Sequence, residues 1–174
     1  MTIENLTRAF ESYKAYSTGH SIEERFCNDD ELQSMQDAIQ NEWDFFNFLD
    51  RDDVDFELKV YFVSEIICPS FDHISQSAAD ADCRAQAGML ISSVISFVAT
   101  GHAKVKEKSL RTLFNLLGQS DIDCLFEEMA NCGCKSNALY LRQRRNWPAE
   151  RPRYFSTFHG LALKSIERLL PETA

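Results

Sequence analysis

The stretch AQAGMLISSVISFVA (Ala85–Ala99) decides the fold. It is the longest apolar-rich run in the chain, and Ser92, Ser93 and Ser96 break it. A bilayer-spanning helix needs about 20 consecutive apolar residues, so the run is too short and too polar to cross one. It reads as the buried central helix of a bundle, from about Ala81 to Ala99, stopped by Gly101.

Working outward, apolar residues recur at helical spacing on both sides. Ile3, Leu6, Phe10 and Tyr13 mark a first helix. Asn28, Asp29 or Asp30 caps a long second helix through Leu32, Met35, Ile39, Trp43, Phe46 and Leu49. Asp52 or Asp53 caps a third, with Phe56, Val60, Val63 and Ile67 inward and Pro69 closing it. Phe56–Val63 alternates briefly like a strand, yet the Asp-rich entry favours helix. A short element is expected near Phe71–Ala78.

Beyond the central run, Val105, Leu110, Leu113, Phe114 and Leu117 give a helix ended by Gly118. Ser120 or Asp121 starts another through Ile122, Leu125, Phe126 and Met129, stopped at Gly133. A short helix is expected over Asn137–Arg145, a loop over Asn146–Arg153 and a last helix through Phe158, Leu161, Ala162, Ile166, Leu169 and Leu170. Short connections make consecutive helices antiparallel neighbours. The fold expected is all-α: one domain over residues 1–174, a bundle of about seven to nine mostly antiparallel helices.

Composition agrees. The chain has 174 residues, 44% of them hydrophobic, but only six Gly and four Pro, too few for the turns of a β-sandwich. The N-terminal MTIENLTRAFESYK lacks a basic region followed by an apolar stretch, so no secretory signal is read there. A cytoplasmic location follows as the expectation, with Cys27, Cys68, Cys83, Cys124, Cys132 and Cys134 reduced.

Charge is distributed unevenly along the chain. The formal net charge is −9. Between Ser21 and Glu57 thirteen Asp/Glu face two Arg, whereas from Gly101 onward twelve Lys/Arg face eight Asp/Glu. Such a field attracts basic partners and argues against direct nucleic-acid binding; no membrane partner is expected, since the longest apolar run is too short and too polar to span a bilayer. The expected docking face comprises Glu31, Asp37, Asp44, Asp52, Asp53 and Asp55, with Phe45 and Phe48 as exposed apolar anchors. A solvated outer face is the plain alternative for such a charge run.

Local catalytic signatures are absent from the sequence. Asp50-Arg-Asp-Asp-Val-Asp fails as a calcium loop at Val54, Asp55 and Tyr61. Cys124, Cys132 and Cys134 lack zinc spacing. His20, His73, His102 and His159 are scattered and every Gly is isolated. No cofactor, metal or catalytic residue is therefore expected.

The function expected is that of a small acidic non-catalytic binding protein. Its most concrete form is an inhibitor or immunity protein that covers the cleft of a basic toxin, such as a nuclease. The second reading is a regulatory or adaptor domain that uses Arg142, Arg144, Arg145, Trp147, Arg151 and Arg153, where arginine and aromatics interleave. The third is an enzyme whose site is assembled in space from the scattered histidines.

Overall fold

Ser77 opens the longest helix with a reciprocal cap. Its hydroxyl accepts from the Asp80 amide at 3.3 Å, and the Asp80 carboxylate accepts from the Ser77 amide at 3.2 Å. In the computed structural model, which describes residues 3–17, 29–40, 45–69, 77–101, 105–132, 144 and 146–171, this helix runs Ala78–Ala99. It starts three residues before the expected Ala81 because the Ser77–Asp80 pair supplies the cap.

Eight α-helices and no strand occur among the described residues: α1 Ile3–Ser17, α2 Asp29–Gln40, α3 Phe56–Ile67, α4 Ala78–Ala99, α5 Leu110–Leu117, α6 Ile122–Asn131, α7 Trp147–Glu150 and α8 Pro152–Glu167. A 3₁₀ turn spans Phe45–Phe48. The all-α fold read from the sequence is the one observed.

Every residue from Ala87 to Ala99 except Met89 is buried. Each fully buried Leu, Ile, Val or Phe there contributes about 1.5–3 kcal/mol relative to exposure. The three serines in this stretch do not break the helix. Ser92 and Ser93 both donate to the Met89 carbonyl, at 2.9 and 2.8 Å, which satisfies their hydroxyls within the helix. Most of the packing on α4 comes from α3 and α8, with α5 and α6 completing it. Helices α1 and α2 lie against α3, and α7 lies against α8. No described helix is long and apolar enough to cross a membrane.

Three local expectations change. The second helix does not continue unbroken to Leu49. Nine residues separate Ile39 from Phe48, a rotation that sets them on opposite sides of one α-helix. Both are nonetheless buried, at 4% and 6% exposure, with Phe48 in the 3₁₀ turn and not in α2. Phe48 then packs edge-on against Phe10, centroids 5.5 Å apart, beside Phe62 and Tyr13.

Asn146–Arg153 is not a loop, since it holds α7 and the start of α8. Both prolines sit in first turns, where the missing N–H has no helical partner to lose. Val105 lies outside α5, whose cap is Ser109, accepting from the Thr112 amide at 3.2 Å. Asp121 caps α6 as expected, accepting from the Cys124 amide at 3.0 Å. The expectations placed on Asn28, Trp43, Phe71–Gln76, Gly133 and 137–143 lie outside the described residues.

Two glycines of this region should respond oppositely to alanine. A Cβ at Gly88 would meet the Cys68 carbonyl at 3.8 Å, an ordinary contact, so Gly88→Ala should raise stability by about 0.5–1 kcal/mol. Gly101 ends α4 at φ +69°, so Gly101→Ala should cost about 1 kcal/mol although open space surrounds it. Urea unfolding of the two variants beside wild type measures both signs.

Candidate functional site

The acidic stretch preceding α3 folds into a pinned loop. The Asp50 carboxylate accepts from the Asp52 amide at 3.0 Å, and the Asp53 carboxylate accepts from the Asp55 amide at 2.8 Å. Two backbone bonds close the turns, Asp53 N–H to Asp50 O and Phe56 N–H to Asp53 O, each 3.1 Å.

The other oxygen of Asp53 accepts from Lys59 Nζ at 2.6 Å. Lys59 in turn stands 4.6 Å from the Phe48 ring centroid, above the aromatic cluster. Asp55 pairs with Lys14 of α1. That pairing engages the Asp55 carboxylate, and the N-cap of α3 is Asp55 without a side-chain cap bond, not Asp52 or Asp53. The hydrogen bond from Lys59, then that from the Asp55 amide, holds the Asp53 carboxyl below its ordinary range. The hydrogen bond to Asp55 holds the Lys14 ammonium above its own.

What remains outward is compact. Asp50 and Asp52 are exposed, and between the two inward-tied carboxylates Val54 projects with 97% of its surface in water. It is the one large hydrophobic side chain so exposed among the described residues.

The described residues of the wider docking face expected from the sequence are spread along α3 and not gathered in one cluster. Glu31 and Asp37 are exposed on α2, with Asp37 accepting from Gln33 Nε2 at 2.7 Å. Next to Asp37, Gln36 donates to the Ile66 carbonyl at 2.8 Å, at the C-terminal end of α3. The Asp50–Asp55 loop sits at the other end, about 15 Å along the helix. Phe45 and Phe48 are no surface anchors: they are 2% and 6% exposed, drawn inward by the aromatic core. Asp44 lies outside the described residues.

The basic segment also differs from its expected form. Trp147 is 6% exposed and packs against Phe158 and Tyr154, with centroids 5.4 and 5.5 Å apart. It is a core residue, not an open stacking platform. Arg144 lies over its ring at 4.0 Å, while Arg151 and Arg153 are exposed nearby. Arg142 and Arg145 lie outside the described residues.

Among the described residues, His159, Cys68 and Cys83 have identifiable surroundings. His159 stacks on Phe155 and donates from Nε2 to the Leu117 carbonyl at 2.8 Å, joining α8 to α5. Burial raises the thiol pKa of Cys68 and, with Asp82 and Asp80, of Cys83, which keeps both protonated and weakly nucleophilic. No group of three or more His, Cys, Asp or Glu among the described residues could hold a metal ion. His20, His73, His102, Cys27 and Cys134 are outside the described residues. Val54 is the residue that sequence reasoning missed; its placement between aspartates, off the helical apolar stripe, was the available signal. No family model, curated protein or solved structure matches the chain.

Two outcomes are expected. Lys59→Gln should cost about 0.5–1 kcal/mol at neutral pH, because it removes the charged partner of Asp53, which stays partly in water and keeps the Asp55 amide. Asp53 is held below its ordinary range, so its contribution is present above about pH 3.9 and is lost as pH falls through the lower folded value. Urea unfolding across acid pH should show the variant and wild type converging there. In site-mapped alkylation, exposed Cys124 should react in the native protein and buried Cys68 only on unfolding.

Proposed function

We propose that this chain is a non-catalytic binding protein that docks a basic protein partner on the Asp50–Asp55 loop. The observation that carries the reading is the exposed Val54 on a loop tied down on either side of it, at Asp53 by Lys59 and at Asp55 by Lys14. A solitary exposed apolar side chain is common on surfaces. Here the loop is already ordered, so a partner that seats Val54 in an apolar pocket meets little further entropy cost.

The exposed Asp50 and Asp52 precede it on the same loop, and the net charge of −9 steers cationic partners toward the chain. The specific form of this reading is an inhibitor of a basic toxin, such as a nuclease, whose substrate cleft accepts the loop in place of phosphate.

The test is a tagged pull-down from the native host with wild type and with the triple change Asp50→Lys, Asp52→Lys, Val54→Ala. These positions face water, whereas Asp53 and Asp55 are left intact because they hold the loop. The expected result is a basic protein that elutes with salt, is lost with the triple variant, and has an enzymatic activity that wild type suppresses. Equal capture by both proteins, or recovery of acidic proteins or RNA, would contradict the reading.

A further inference from the structure

Against the overall negative charge, three arginines converge on one cavity of about 640 Å³, where α7 and the start of α8 face the first half of α4. It is a groove open to water along one side, with room for a small molecule. Arg144, Arg151 and Arg153 form one wall. Asp82 and Gln86, one helical turn apart on α4, form the other. Tyr154 links the walls by donating its hydroxyl to Asp82.

We propose that this cavity binds a mononucleotide, its phosphoryl group on the arginines and its hydroxyl or base N–H donors toward Asp82 and Gln86. The site shares no residue with the Asp50–Asp55 loop and does not rest on the docking reading.

The chemistry of each wall selects part of the ligand. A phosphate monoester carries close to two negative charges and three acceptor oxygens, which several guanidinium forks match in charge and geometry. Arg144 is held over the Trp147 ring at 4.0 Å, so less side-chain freedom remains to be lost on binding. Arg151 and Arg153 flank Pro152, whose fixed φ in the first turn of α8 limits the backbone between them.

Asp82 accepts from Tyr154 on one oxygen and from Gln86 Nε2 at 3.5 Å on the other, and the lone pairs left on the two oxygens repel a bare anion yet suit donation from ribose hydroxyls or an amino group. The two walls together therefore favour a ligand that is anionic at one end and rich in donors at the other. A polynucleotide is disfavoured because the remaining surface, net acidic, repels further phosphates.

The test titrates the intact chain, by calorimetry and by tryptophan fluorescence, with AMP, GMP, CMP and UMP, the parent nucleosides, inorganic phosphate and single-stranded RNA. At least one mononucleotide should bind with Kd below about 1 mM, and its nucleoside should not bind. Arg151→Gln and Arg153→Gln, both at exposed positions, should each weaken binding about tenfold or more. Arg111→Gln, on α5, should leave it unchanged. The proposal is overturned by three results: no mononucleotide binding at about 1 mM, inorganic phosphate binding as tightly as the nucleotide, or RNA binding more tightly than either.

Discussion

From Leu90 to Ala99, α4 has no face left to water, so every neighbouring helix has to present an apolar stripe to it. The helix ladder satisfies its backbone, and Ser92 and Ser93 satisfy their hydroxyls on the same helix, so enclosure leaves neither group unpaired. Helices α3 and α8 take most of this surface, and the remaining helices are placed by what those two leave open. The loop before α3 and the arginines at the start of α8 are thus carried on the two elements most firmly fixed to the core. A site on such supports is positioned at little conformational cost.

The same physics explains how far the sequence could be read. An apolar run bounded by Ser77 and Gly101 has one stable solution, and the amphipathic spacing around it leaves little choice but helix. Phe48 was harder. Its neighbours imply an exposed aromatic only if α2 continues as one helix; it belongs instead to a 3₁₀ turn and its ring lies in the aromatic core. Pro148 and Pro152 misled in the opposite sense, since proline breaks a helix interior but suits a first turn.

Charge was legible as a sum and illegible as a surface. The thirteen carboxylates between Ser21 and Glu57 read as one face, yet the fold turns Asp53 and Asp55 inward to Lys59 and Lys14. These lysines lie outside the acidic stretch, so no local count reveals them as partners. Two carboxylates become structural, which fixes the path of the chain and leaves Asp50, Asp52 and Val54 outward. Likewise, Trp147 among arginines suggests an open stacking platform until burial shows it to be the support beneath Arg144.

The docking account stands on the claim that this loop is a built surface and not a fluctuating tail. Hydrogen exchange of the Asp53, Asp55 and Phe56 amides, measured residue by residue on the free protein, tests that most directly. The bonds to Asp50 O, Asp53 Oδ1 and Asp53 O predict exchange at least about tenfold slower than in an unfolded chain. Exchange at unfolded-chain rates for all three would show that Val54 and its flanking carboxylates have no fixed geometry to recognise, and would contradict the account.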